Sequence, residues 1–192
     1  MATQTQRTES TRAQLVQAFR TSLLERGLAA TTTQHVLART GLSKGAMYHH
    51  FNSKTDIIKA IYEAESRGAI ARAAARVEDI SSPLEKLIGA CLAWTEEVRV
   101  PSVSRILFEI GPAALGPQQA REIEDSYSLK QIEHLLELAN VAQEINVADV
   151  RLTAALINAL VAEATLYTLR SGRESGPVLR DAIGAILKSC SD

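Results

Sequence analysis

Apolar residues recur along most of this chain at intervals of three and four, the spacing that lines one face of an α-helix. Leu15, Val16, Phe19 and Leu23 share a face of a first predicted helix over residues 9–26. Arg26-Gly27 then supplies a basic last turn and a C-terminal stop. Thr32 can cap a short second helix running to Thr40, with Val36 and Leu37 turned inward. Gly41-Leu42-Ser43 makes a tight turn, and Ser43 can cap a third short helix, Lys44 to His50. Ser53-x-x-Asp56 has the form of a capping box, with Asp in place of Glu. It opens a long fourth helix carried by Ile57, Ile58, Ile61 and Tyr62 as far as Ile80.

The second half carries the same period. Ser82-Pro83-Leu84-Glu85 combines an N-cap, a first-turn proline and a capping-box glutamate. The fifth helix turns Leu84, Leu87, Ile88, Cys91 and Leu92 inward, and Val100, preceding Pro101, ends it. A sixth helix holds Ile106, Leu107 and Ile110 and stops at Gly111-Pro112. Three more are expected at about 118–139, 148–170 and 177–190. No segment sustains a two-residue alternation, so the fold class is all-α with about nine helices.

Composition agrees. Of 192 residues, 46% are hydrophobic, enough for a sizeable core, and only 4% are aromatic, which suits Ala- and Leu-rich helices. The polar N-terminus lacks the apolar core of a secretion signal. No apolar run is expected to approach the roughly 18 residues that cross a bilayer, so no membrane partner is expected. Two distant cysteines, Cys91 and Cys190, exclude a disulfide framework and point to the cytoplasm.

The net charge of −1 argues against nucleic acid until it is divided along the chain. Residues 1–60 hold eight basic and three acidic side chains, a net +5, and the remainder carries −6. A basic head on an acidic body suits a polyanion partner for the head alone.

The segment 32–51 reads as helix, glycine turn, helix. Val36, Leu37, Leu42 and Met47 hold the pair together, and Gly41 permits the turn. Gly45 and Ala46 keep the exposed face of the second helix low, so that it can approach base edges in a major groove. Lys44, Tyr48, His49 and His50 add donors. The helix starts at Thr32 and Ser43 offer free N–H groups to phosphates.

The stretch Gly41 to Lys54 resembles the signature of the TetR family, the tetracycline-repressor-like bacterial regulators. Its Ser-x-Gly-x-x-Tyr-x-x-Phe-x-x-Lys skeleton is intact at Ser43, Gly45, Tyr48, Phe51 and Lys54, and Thr31-Thr32 matches the family's second-helix cap. His35 departs from the acidic residue common there. The resemblance implies an N-terminal three-helix DNA-binding domain over residues 9–68, with the helix-turn-helix at 32–51. It implies a helical effector-binding and dimerisation domain over 69–192. By the same resemblance Thr32, Thr33, Ser43, Tyr48, His49 and Lys54 contact phosphate or sugar. Lys44, Gly45, Ala46 and Tyr48 lie nearest the bases, and Phe51 packs inward near Phe19.

The resemblance also implies a homodimer built from the last two helices. The eighth is apolar nearly all round and so needs cover on more than one side. The ninth carries a narrow apolar stripe. Interface candidates are Leu152, Ala155, Leu156, Ala159, Leu179, Ile183 and Ile186. In the family, helices five to seven enclose an effector pocket, for which Cys91, Trp94, Phe108, Ile110 and Tyr127 are candidate lining toward a small apolar ligand. His134 is more simply a solvated surface residue.

The expected function is a sequence-specific DNA-binding regulator. It is read as a homodimeric repressor, released from a palindromic or pseudopalindromic double-stranded operator by a small apolar or amphipathic effector. The rival class is an all-α enzyme or ligand-binding protein that does not bind DNA. The four histidines form no zinc pattern, and neither a phosphate loop nor a nucleophile elbow is present. No catalytic residue, metal site or cofactor is expected.

Overall fold

The computed structural model describes residues 4–190. The opening residues Met1-Ala2-Thr3, part of the polar N-terminus noted above, lie outside that range. The elements are α1 (Gln4–Ala30), α2 (Thr33–Thr40), α3 (Lys44–His50), α4 (Lys54–Ala75) and α5 (Pro83–Glu97). Then α6 (Pro101–Ser104), a π-helical turn (Arg105–Ile110) and α7 (Gly111–Leu115) follow without a break. The last three are α8 (Pro117–Val141), α9 (Val150–Ser171) and α10 (Gly176–Ser189). No strand occurs among the described residues. With the continuous stretch 101–115 taken as one helix, nine helices are present among the described residues, as the hydrophobic period indicates.

The chain forms two compact units that do not follow the 68/69 boundary. One runs to Glu65 and takes in Ser104–Arg121. The other comprises Ser66–Val103 and the chain from Glu122 onward. The division falls inside α4, which is continuous through Glu65 and Ser66.

In the first unit, Leu15, Phe19 and Leu23 of α1 are fully buried, and Val36, Met47 and Phe51 are buried with them. Gly27 leaves helical geometry at φ 77°, so the regular part of α1 ends where the basic-glycine stop predicts. Segment 104–121 belongs here for physical reasons. The Arg105 guanidinium donates to the Leu24 carbonyl at the end of α1, 2.5 Å. The expected stop at Gly111-Pro112 does not occur. The Gly111 N–H instead reaches back five residues to Ile106 O, widening the turn. A π-turn of this kind accommodates the missing N–H and the ring of Pro112 without breaking the rod.

The second unit packs Leu87, Ile88 and Cys91 of α5 against Ile132 and Leu136 of α8, Ala154, Ile157 and Val161 of α9, and Leu179, Ile183 and Leu187 of α10. α4 stops at Ala75, short of Ile80, because Val77 and Ile80 turn inward against Gly89. Any Cβ at Gly89 would come 2.8 Å from Val77 Cγ1. Glu97 is buried and neutralised by two arginines: Arg72 of α4 at 2.7 Å, and Arg76 just beyond its end. Both arginines are half exposed, so water shares their solvation and only the carboxylate is fully withdrawn. The α8–α9 loop is closed by the Asn140 amide, which donates to Val147 O and accepts from Val147 N, each at 2.9 Å.

Candidate functional site

The helix-turn-helix is assembled by local signals. Thr32 Oγ1 accepts from His35 N at 3.2 Å and caps α2. Ser43 Oγ accepts from Ala46 N at 3.0 Å and caps α3. Between them Gly41 adopts φ 68°, a left-handed geometry that favours glycine, and its N–H closes on Leu37 O. Thr31 is fully buried beneath this corner, its hydroxyl donating to Gly27 O at 2.8 Å. At the start of α4, Ser53 Oγ accepts from Asp56 N, and the shorter Asp56 carboxylate reaches Asn52 N rather than the capping residue's own N–H. His35 does not act as a capping-box acceptor. Its Nε2 lies 3.4 Å from Arg26 Nη1.

Most of the residues predicted to meet DNA are exposed or partly exposed, and Thr33, Lys44 and Tyr48 line one groove. Thr32, Ser43, Lys44, Gly45 and His49 are exposed, Thr33 and Ala46 partly so, and Tyr48 is half exposed. A groove of about 610 Å³ runs between α2 and α3, lined by Thr33, Gln34, Leu37, Ala38, Gly41, Leu42, Lys44 and Tyr48. The Lys44 ammonium sits 5.7 Å from the centre of the Tyr48 ring, which fixes both side chains at the groove edge. Beneath this surface Met47 and Phe51 are buried. Phe51 is stacked under the Arg12 guanidinium of α1 at 5.1 Å, so it packs inward as expected.

Two features were not legible from spacing. Lys54, expected on phosphate, donates to the Leu28 carbonyl at 2.7 Å and ties the start of α4 to the end of α1. Partial burial lowers its pKa. One of its three protons is thereby used, and two remain for an outside partner. The formal +5 is also partly spent inside the unit: Arg20 pairs with Glu65 at 2.8 Å and Arg39 with Glu25 at 2.7 Å. Arg12, Arg26 and Lys44 remain exposed without a carboxylate partner among the ion pairs described.

Gly45 leaves the start of α3 without a side chain on this surface. A Cβ there would meet only Ser43 Oγ, at an ordinary 3.8 Å. No described side chain crowds this position, so the backbone of α3 is bare and open to solvent here.

Residues 15–61 match the family described as "Bacterial regulatory proteins, tetR family". Residues 84–188, more than half of the chain, match "Tetracyclin repressor-like, C-terminal domain". The chain belongs to the tetR family. It is a DNA-binding transcriptional regulator. Among curated relatives, the HTH-type transcriptional repressor KstR2 of Mycobacterium tuberculosis is 23% identical over 175 residues, 91% of this chain and 88% of that protein. The HTH-type transcriptional regulator TtgR of Pseudomonas putida is 31% identical over 104 residues, 53% of this chain and 49% of that protein. Among solved structures, a TetR-family regulator from Pectobacterium atrosepticum superposes with a TM-score of 0.71 at 26% identity, covering 98% and 95% of the two chains. RolR in complex with resorcinol superposes at 0.73 and 15% identity, covering 97% and 90%.

The C-terminal expectations fare unevenly in this tetR-family chain. Cys91 and Trp94 lie together in the second unit's core, and burial pushes the Cys91 thiol up to about 12, so it stays protonated. Tyr127 lies beneath the Arg67 guanidinium at 5.8 Å. Phe108 and Ile110 belong to the other unit, on the π-turn, so the five candidate lining residues do not share one unit.

The interface set also divides. Leu152 and Leu156 are 56% and 40% exposed, and Ala155 and Ala159 are exposed beside them. Leu179 and Ile183 are instead buried at 3% and 0% in their own chain's core, with Ile186 partly buried against it. The α10 stripe that spacing assigns to a partner is the face that holds α10 to α5 and α9. Val178, off that stripe, is 73% exposed.

The expectation about apolar runs needs correcting as well. α9 is long and apolar enough to cross a membrane by length and composition, with a window of mean hydropathy 1.5. One third of that window is buried within the chain. The run arises because α9 carries two apolar faces, one in the core and one outward.

Proposed function

We propose that the chain is a cytoplasmic, non-enzymatic homodimeric repressor that leaves its operator when a small apolar or amphipathic molecule binds the C-terminal unit. The observation that carries the DNA side is the bare, exposed Gly45 between capped Ser43 and stacked Lys44–Tyr48. KstR2 is named a repressor, and RolR, which shares the fold, is held with the small phenol resorcinol. Both support the reading. Thr32, Thr33, Ser43, His49 and Lys54 anchor phosphates, while Lys44, Gly45, Ala46 and Tyr48 approach the bases.

The mechanism follows from geometry. A dimer reads two half-sites only when its recognition helices stand about 34–36 Å apart, one turn of the duplex. A ligand that favours another tilt of α4 changes that distance. The loss of DNA affinity is bounded by the ligand's differential affinity for the two arrangements.

The test is binding of the full chain to duplex DNA from its own upstream region, read by fluorescence anisotropy, with Gly45→Leu beside it. The wild type binds with a steep salt dependence. Gly45→Leu keeps its helical circular dichroism and loses binding. A variant that binds as well as wild type overturns the assigned surface. A wild type that binds no duplex at low salt overturns the function.

A further inference from the structure

The groove between α2 and α3 contains one polar side chain to which no role has yet been given. Gln34 is exposed and lines the groove with Lys44 and Tyr48, and its side chain makes no hydrogen bond within the described residues. The other groove side chains are apolar (Leu37, Ala38, Leu42), a donor-only ammonium (Lys44) or single hydroxyls (Thr33, Tyr48). Lys44 only donates, and the hydroxyls of Thr33 and Tyr48 accept any partner. The recognition helix contributes no amide at all, since its exposed positions are Lys44, Gly45, Tyr48 and His49.

An amide carries a donor and an acceptor side by side. Adenine alone shows the matching pair in the major groove, with N7 accepting and N6–H₂ donating. The thymine paired with it projects a methyl group, which suits the apolar wall of Leu37, Ala38 and Leu42. No internal hydrogen bond of Gln34 has to break before it binds.

We infer that Gln34 is a base-reading residue that selects an A·T pair in each operator half-site, so that sequence preference is set by α2 as well as by α3. This rests on the DNA-binding function given above.

The experiment is selection from a random-sequence duplex library with the full chain, alongside Gln34→Ala and Gln34→Arg. Wild type should enrich a motif containing an adenine favoured roughly fivefold or more over other bases. Gln34→Ala should remove the preference at that position and leave the remaining positions unchanged. Gln34→Arg should move it toward guanine, the base whose O6 and N7 suit a guanidinium. An unchanged motif with Gln34→Ala overturns the inference. So does uniform weakening on all sequences with every preference retained, which is the mark of a phosphate contact. A wild type that enriches no motif overturns the sequence-reading function and the inference together.

Discussion

The ring of Tyr62 occupies the space that a side chain on Gly111 would need. A Cβ at Gly111 would fall 2.1 Å from Tyr62 Cδ2 and 2.9 Å from the Ile106 carbonyl oxygen. Both residues are buried, and both belong to the unit that carries the helix-turn-helix. The glycine therefore admits α4 against the π-turn, and the π-turn admits the proline that follows.

Gly111→Ala gains helix propensity of up to about 1 kcal/mol. That gain is outweighed, because the ring has no exposed direction in which to retreat and the carbonyl is backbone. Overpacking of this kind costs about 1–3 kcal/mol. The expected result is a net fall in melting temperature by circular dichroism. Adding Tyr62→Leu should make the double variant less damaged than the two single effects together. Simple additivity would show that the two residues do not share the space.

Much of this head was legible because its signals are local. Thr32, Ser43 and Ser53 each cap a helix within three residues, and the αL glycine at 41 depends on nothing farther away. What escaped was long-range. The ring packed against Gly111 comes from Tyr62, some fifty residues earlier in the chain, whereas an isolated Gly-Pro reads as a stop. The Lys54–Leu28 hydrogen bond spans 26 residues. The α10 stripe was visible, but periodicity reports only that a face is buried, not whether the cover is the same chain or a second one.

Lys54 joins architecture to binding. Lys54→Met keeps the methylene stem but loses the bond to Leu28 O and a positive charge. The melting temperature should fall by the equivalent of about 0.5–1.5 kcal/mol. The slope of log affinity against log salt should flatten by about one, with all sequences weakened alike. An unaltered slope beside a lowered melting temperature would make Lys54 purely structural.

His50 gives the head a pH dependence. Its pKa is held below the ordinary 6.5 by burial first, then by the neighbouring His49 and Arg12 charges. The folded state therefore binds this proton less readily than the unfolded one, and stability rises with pH across the interval below 6.5. Stability is lost as pH falls from neutrality through the folded-state pKa. His50→Asn removes that contribution. The drop in melting temperature between pH 7.5 and 5.5 should be smaller in the variant than in wild type, and an equal drop would show that other groups carry the effect.

The proposed homodimer makes a test of the outward face of α9. Leu152, Ala155, Leu156 and Ala159 lie at i, i+3, i+4 and i+7, one continuous stripe, while Ala154, Ile157 and Val161 of the same helix are buried in the core. A helix fixed in this way by one face, with Asn158 bonded to Asp125 of α8 at 2.8 Å, presents its other apolar face to whatever covers it. Val178 of α10, 73% exposed in the same unit, adds a second exposed apolar residue. The family reading makes the cover a second copy, paired through the same patch on both chains. Wild type should sediment near twice 20.8 kDa at micromolar concentration. Leu152→Glu with Leu156→Glu places four like charges in a two-fold interface and should give a monomer. Because both leucines are exposed in the single chain, its helical content should persist. Operator affinity should fall steeply, since each half then binds alone. A double variant that remains dimeric would place the interface elsewhere, and a wild type that sediments as a monomer would remove the basis for reading two half-sites at once.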